Sequence, residues 1–543
     1  MNFKHSTLIY FAILASVLGV FVYILPPLPV WITDNGNKYI IMRNYAEHRT
    51  LKLQHPEPQL APTGGFHIQH HENSLRSFYP ETYPVLCSFF YKFAGGRAAS
   101  LPAVAGTLIC AFLVYLWSKR KLLAAVTVFC TPLLFYSFVL WEMTLSCAAV
   151  TGALYLILRK RRAFTGALLL GLSLCLREEA YFAAASCVFA LLVFKQYRAA
   201  LLAAAGTAAG MLPVWIWNYI EFGSILGLHG KIYLSGTGSQ SFAGIIWNYF
   251  HHLLRGEPTG RHLEILYTIV PAALMLFASC KRKTRLRGIA IVFAIAGAAV
   301  LLFRFVRLDG VSYAAACSTG VFAALPVGWF FLADLRNSLT RQAKIYRIMA
   351  LFCAVYILTV PAVLTRGDIG LIWSARHFMV LLPCLMILSA KSVKNIDVPN
   401  FRKVLPAAVA VTACVQQLAG INALYNVSTE CAELEQTIRK MNTPVVASDV
   451  FYLPEMTPRL WFERVMLDIS KCENIGVILR EAPKEMLLVI SPLPQFRRIK
   501  DTDLRMLLKD YDIPAAPIHF KRKTGTGFID LFIFKLYRRS SGK

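Results

Sequence analysis

Charge is scarce in this chain: Asp, Glu, Lys and Arg make up 16% of its 543 residues, and acids are the scarcer kind, 30 against 57 Lys and Arg. With 56% hydrophobic residues and a mean hydropathy of +0.51, the composition is that of a polytopic membrane protein and not of a soluble enzyme. CxxC and other metal-type cysteine spacings are missing; the 13 cysteines are scattered, most of them inside apolar runs where a thiol acts as a small hydrophobe. There is no internal repeat and no low-complexity segment. No small-x-small cleavage site follows the first apolar run, residues 7 to 25, which is therefore expected to remain as an uncleaved span. Gly525-Thr526-Gly527 has neither the spacing nor the following helix of a phosphate loop. The net charge of +27 would suggest nucleic acid in a soluble protein. Here the basic residues lie in short loops between apolar runs, the usual orientation signal, so nucleic acid is set aside.

Apolar runs near 99–117, 122–139, 143–158, 163–176, 181–194, 199–219, 264–280, 288–303, 317–334, 347–364, 376–390 and 404–424 join the first one to predict about thirteen transmembrane helices. The basic loops Lys119 to Lys121, Arg159 to Arg162, Lys195 to Arg198, Lys281 to Arg287, Arg336 to Arg347 and Lys391 to Lys403 all fall on one side. The positive-inside rule makes that side cytoplasmic, with the N-terminus inside and the C-terminus outside. All histidines but His5 then face outward, as do Asp34, Glu72, Glu81, Glu142, Glu178, Glu179, Asp309 and Asp368. The chemistry is expected on the outer face.

From about Glu430 the composition turns to that of a soluble α/β unit. Ala432 to Met441 and Ile475 to Arg480 read as helices, Pro444 to Ser448 and Met486 to Ser491 as strands, and Phe528 to Tyr537 as a hairpin-like piece. The expected division is a membrane domain over 1–425, with a polar first outer loop at 31–98, and a small extracytoplasmic domain over 426–543. Cys431 and Cys472 in that tail form a disulfide or remain two thiols, and Asn426-Val427-Ser428 matches a glycosylation sequon.

Five stretches carry candidate chemistry. Val30 to His48 follows the first span; Tyr39, Met42, Tyr45 and Ala46 recur at helical spacing opposite Asn35, Lys38, Arg43 and Asn44, which predicts an amphipathic helix along the bilayer with Asp34 at its start. Asp34 is then either its N-cap or a base at the membrane surface. Phe78 to Leu86 holds Glu81 and Tyr83 between two Tyr-Pro dipeptides that favour an extended entry. Leu140 to Thr144 places Glu142 in a short outer turn, as a site acid or a solvated one. Gly171 to Tyr181 sets Arg177 beside Glu178 and Glu179, the pattern of a structural salt bridge and equally of a phosphate site. Trp373 to Phe378 carries Arg376 and His377, with Arg366 nearby, as an interface anchor or a neutraliser of a lipid phosphate. A sixth group, His67, His70, His71 and Glu72, has i, i+3, i+4 spacing that fits a divalent metal on a helix, against an ordinary solvated loop; it lacks the HExxH order of a metalloprotease.

In this order the stretches resemble the polyprenyl-phosphate-sugar-dependent glycosyltransferases of the GT-C fold, the broad family of protein mannosyltransferases and bacterial aminoarabinose transferases. The matches are Asp34 and Tyr39 behind the first span, Tyr79 to Leu86, Glu142, the pattern Gly171, Leu172, Arg177, Glu179, and the pattern Arg376, His377, Pro383. The resemblance covers the chain to about residue 390. It implies transfer of a sugar from a polyprenyl-phosphate donor to an extracytoplasmic glycan, lipid or protein acceptor, with inversion, in the bacterial inner membrane. Asp34 would be the general base, with Glu142 also catalytic. Arg177 and Arg376, with Lys231 and His229, would hold the donor phosphate, and Tyr39, Tyr83, Glu81, Glu179 and His377 would line the substrate. The chain departs from the family at Asp34-Asn35, where an acid pair is common, and at Glu81, where Pro is common; metal use stays open, and no cofactor is required. The competing class is a transporter or flippase of a lipid-linked or small-molecule substrate, which would predict mid-bilayer charges, broken helices and paired repeats.

Overall fold

The computed structural model describes residues 5–31, 33–61, 68–71, 74–77, 79–228, 230, 244, 325–363, 376–395, 399–450, 452–469, 484–492, 499–521 and 530–539. They fall into two units, one from Met1–Ile24 and the stretch between Ser100 and Ala423, the other from Leu25–Ala99 and Leu424–Lys543. The first loop packs with the tail, in the second unit.

In chain order the helices include α1 (His5–Ile24), α2 (Thr33–His48), α3 (Thr82–Ala94), α4 (Leu101–Ser118), α5 (Lys121–Phe129), α6 (Leu133–Tyr136), α7 (Met143–Leu154), α8 (Ala163–Leu172), α9 (Ala180–Val193), α10 (Tyr197–Phe222), α11 (Lys344–Val363), α12 (Leu382–Ser392) and α13 (Pro399–Lys440), of which α2, α3 and the part of α13 from Leu424 belong to the second unit. Six described helices are long and apolar enough to cross a membrane, and three shorter ones at Met143–Arg159, Ala163–Cys175 and Ala180–Val193 are apolar throughout. The expected spans at 264–280 and 288–303, and most of 317–334, lie outside the described residues. The single span expected at 122–139 is instead two helices, α5 and α6. Pro132 has no N–H to continue the ladder, and the Thr131 hydroxyl turns back to the Thr127 carbonyl at 2.6 Å. Conversely, the span at 404–424 and the helix at 432–441 are one helix, α13. The apolar-to-polar change near residue 425 brings no Gly or Pro to stop it.

Small residues set the closest packing here. A Cβ at Gly171 of α8 would lie 2.2 Å from the Thr207 carbonyl oxygen of α10, and one at Gly210 would lie 2.3 Å from that of Leu168. The two helices therefore touch backbone to backbone, as apolar helices do where no solvent drives them together.

The second unit is built from both ends of the chain. Its tail carries a sheet of β3 (Val445–Ser448), β4 (Val465–Asp468), β5 (Glu485–Ile490), β6 (Tyr511–Asp512), β7 (Ile518–Lys521) and β8 (Asp530–Arg538), after the small hairpin β1 (Ile68–His71) and β2 (Ser74–Ser77) of the first loop. Strand order is β4-β3-β5-β8-β6, with β7 also on β8; β3 runs parallel to β4 and β5, and β8 antiparallel to β5, β6 and β7. The strands expected at 444–448 and 486–491 are thus β3 and β5, and the end of the expected hairpin is β8. The helix expected at 475–480, and Cys472, lie outside the described residues. Leu60 of the first loop packs with Leu467, Met486 and Leu488 of the sheet. Trp461 of the tail packs with Ile40, Ile41, Leu53 and Leu75, and its indole N–H donates to the Gln54 carbonyl at 3.0 Å.

Helix α2 corrects another expectation. From Asp34 to Met42 every side chain is buried, on both faces, so α2 is not an amphipathic surface helix. Its polar face is covered by the tail. A Cβ at Gly36 would lie 1.6 Å from the Glu455 carbonyl oxygen, a contact that only glycine permits. The exposed apolar stripe sits instead on α3, where Leu86, Phe89, Phe90 and Phe93 recur at i, i+3, i+4 and i+7. Gly36→Ala is expected to destabilise the protein by about 3 kcal/mol through overpacking. Gly19→Ala in α1, where a Cβ meets nothing within 4 Å, is the control and should leave the melting temperature in detergent unchanged or slightly raised.

Candidate active site

Asp34 stands in the first turn of α2, where a negative charge suits the exposed N–H groups. It stands one residue inside the helix start at Thr33. Asn35 does the local end work: its Oδ1 accepts from the Trp31 backbone N–H at 3.2 Å. Asp34 Oδ1 accepts instead from the Tyr79 hydroxyl at 2.9 Å. Tyr79 is set by Ser77, whose Oγ takes the Tyr79 N–H at 3.1 Å and donates in turn to Asn37 Oδ1 at 2.9 Å. Lys38, buried, places its ammonium 5.5 Å from the Tyr79 ring centroid, which favours the cation over the ring face. A carboxylate only 5% exposed is thus held by a hydroxyl that is itself held.

Asp34 has a second acidic neighbour. Glu455, in the short helix Leu453–Met456, is 2% exposed, and among the described residues its Oε2 has no hydrogen-bond partner. Burial, with the Asp34 charge adding to it, pushes its carboxyl up to about 8. Glu81 is likewise buried and is pushed up to about 7, because burial outweighs the pull of Arg76 at 3.8 Å.

In the other unit, the motifs expected to act separately meet in one network. Glu142 precedes α7 and Glu179 precedes α9, each at the N-cap position without a capping hydrogen bond, because both turn to Arg177. Arg177 Nη1 reaches Glu142 Oε1 at 3.0 Å, Nε reaches Glu179 Oε2 at 2.8 Å, and Nη2 donates to Glu179 Oε1. His377 Nδ1 lies 2.7 Å from Glu179 Oε1, and Arg376 Nε lies 3.2 Å from His377 Nε2. A carboxylate accepts and a guanidinium donates, so the imidazole proton sits on Nδ1. The Tyr356 hydroxyl donates to the His377 carbonyl at 2.8 Å, and the Arg376 guanidinium carbon lies 5.7 Å from the Trp141 ring centroid. All three Arg177 nitrogens are engaged with carboxylates, the salt-bridge arrangement that the sequence also allows.

Other expected residues fare differently. Tyr83 is buried, and its hydroxyl donates to the Ala99 carbonyl at 3.2 Å. Tyr39 is buried against Tyr91, their hydroxyls 3.3 Å apart; burial and that bond push its phenol well up. The helical metal spacing does not hold, because His70 and His71 lie on β1, where successive side chains point to opposite faces. Among the described residues no group of three His, Cys, Asp or Glu side chains could hold a metal. His67, Glu72, His229, Lys231 and Arg366 lie outside the described residues. Sequence reasoning missed Lys38 as a partner of the Tyr79 ring, Tyr356 and Glu455. A buried Lys and a buried Glu carry no local pattern, and Tyr356 reads as an ordinary apolar-span residue.

No family model matches the chain, and no curated protein matches it in sequence. Among solved structures, ArnT from Cupriavidus metallidurans bound to undecaprenyl phosphate is similar with a TM-score of 0.56 at 11% identity, covering 98% of each chain. The apo state of the same protein gives 0.54 at 11% identity and the same coverage. At this identity the likeness shows the fold, and the fold is the GT-C architecture that the motif order implies.

Arg177→Met would leave two buried acids without their cation and is expected to cost about 3–5 kcal/mol. Arg177→Lys should recover little, since one ammonium cannot fill a three-way fork. Thermal unfolding in detergent checks both; a Lys variant as stable as wild type would contradict the network.

Proposed function

We propose that this chain is an integral membrane glycosyltransferase that moves one sugar from a polyprenyl-phosphate donor to an acceptor on the extracytoplasmic face. The observation that carries the reading is the buried Asp34 carboxylate on the helix directly behind the first apolar helix, in a chain whose fold is that of a protein seen with undecaprenyl phosphate. Asp34 takes the proton of an acceptor hydroxyl, and the freed oxygen attacks the anomeric carbon of the sugar. The bond from that carbon to the phosphate oxygen breaks, with inversion, and its electron pair leaves on the polyprenyl phosphate. Arg376 supplies the forked cation for that phosphate. Arg177 keeps Glu142, Glu179 and, through Glu179, His377 in place, so these act as positioning residues.

Tyr79 makes Asp34 a base with a fixed orientation, since its O–H occupies Oδ1. The basic loops and the roughly thirteen spans expected from the sequence support a site on the outer face of an inner membrane, with the N-terminus inside. The acceptor class, glycan, lipid or protein, is selected by the unit that the tail and first loop form together.

Membranes with wild type or Asp34→Asn at equal expression, given radiolabelled polyprenyl-phosphate sugars, test the reading. Wild type should release or transfer sugar, and the variant should lose about 100-fold or more of that rate while still binding donor. Equal turnover by the variant would remove Asp34 from the role of base.

A further inference from the structure

Glu455 belongs to no motif, yet it is the tail residue packed against the first turn of the helix that carries Asp34. Its backbone lies against Gly36, two positions beyond Asp34 on α2, closely enough that no Cβ fits between them. Its side chain is 2% exposed, and Oε2 finds no donor among the described residues. The charged group that acts on it is Asp34. Two carboxylates buried together do not both keep their charge. Glu455 is the one that gives way: its Oε2 has no partner among the described residues and burial outweighs its own backbone hydrogen bond, whereas Asp34 accepts from the Tyr79 hydroxyl.

We propose that Glu455 is a positioning residue of the Asp34 site: a carboxylic acid that keeps its proton at neutral pH, through which the C-terminal tail leaves Asp34 the one charged member of the pair. The proposal rests on Asp34 as the base of the transferase and deepens that reading. The value of about 8 for the Glu455 carboxyl agrees with the geometry. No covalent step is involved; when Glu455 ionises, one proton leaves to solvent. Below that pH the base works beside a neutral group that has its shape but not its charge. Above it a second negative charge stands beside Asp34, where it opposes an anionic donor. The tail is then part of the catalytic apparatus, and its short helix Leu453–Met456 is the piece that matters.

Two measurements on the full chain in detergent test this. In the first, kcat/KM for a polyprenyl-phosphate sugar is followed against pH. Wild type should show an alkaline limb near 8, with the value at pH 9 about a tenth of that at pH 7, and Glu455→Gln should lose the limb. A purely structural Glu455 would lower the variant equally at every pH, which overturns the proposal. The second measurement needs no turnover. Glu455 is protonated in the folded state up to about 8 but ionised in the unfolded chain above about 4.5. The folded state therefore binds more protons in that window, so this group's contribution to stability falls as pH rises from about 4.5 to 8 and is flat above. Glu455→Gln should remove that fall, and Glu455→Met, of similar volume, should do the same if Gln folds poorly. Parallel melting curves of wild type and both variants would overturn the proposal. A fall lost in the variants, with no donor turned over by wild type, would support the buried proton and count against the transferase reading alone.

Discussion

The backbone contact between Gly36 and Glu455 is what the candidate site depends on. It joins a helix near the start of the chain to a turn near its end, and it explains why α2 is buried on every face although half of its residues are polar. Those polar groups are satisfied one by one. Asn35 ties the helix start to Trp31, and Asn37 accepts from Ser77. Asn44 holds the following turn through the Thr50 and Lys52 carbonyls and the Gln54 N–H. Buried polar groups arranged in this way fix one geometry, because any shift of α2 would leave several of them unpaired at once.

Carboxylates then divide by what faces them. Glu142 and Glu179 meet a guanidinium, and Asp34 meets a hydroxyl; Glu81 and Glu455 are buried with too little to hold a charge, and their carboxyls move up to about 7 and about 8. Pairs of acids whose surroundings push them apart are how one site keeps one group charged and another neutral at the same pH. In this chain the acids of the helical unit are locked into a salt-bridge network, whereas in the tail and first loop Asp34 meets a hydroxyl and Glu455 Oε2 meets no partner among the described residues. The first arrangement suits positioning, and the second suits proton transfer.

Much of this was legible in the sequence where the signal is local. Runs of apolar residues located α1, α4, α10 and α11, and the short apolar runs at Val445 to Ser448 and Met486 to Ile490 located two strands of the tail. The motif order pointed to the fold that the likeness to ArnT shows. What could not be read is what distant segments cover. The polar face of α2 looked like a solvent face because Glu455 and Trp461 come from the other end of the chain. Arg177 looked equally suited to a phosphate and to a salt bridge, because Glu142 lies 35 positions away and reaches it only in the folded chain. The break at Pro132 carried a clear signal, and an uninterrupted span there gave too much weight to hydropathy. The metal spacing failed because His70 and His71 fold as a strand, and period alone cannot choose between helix and strand over so short a stretch.

The central claim is that Asp34 removes the acceptor proton on the far side of a sugar from its lipid phosphate. The measurement that tests it most directly is a structure of the full chain with a non-hydrolysable polyprenyl-phosphonate sugar and an acceptor analogue. The account predicts the attacking hydroxyl within about 3 Å of an Asp34 carboxylate oxygen, opposite the phosphonate across the anomeric carbon. A donor bound with its anomeric carbon facing another acid, and Asp34 beyond reach of either substrate, would contradict it.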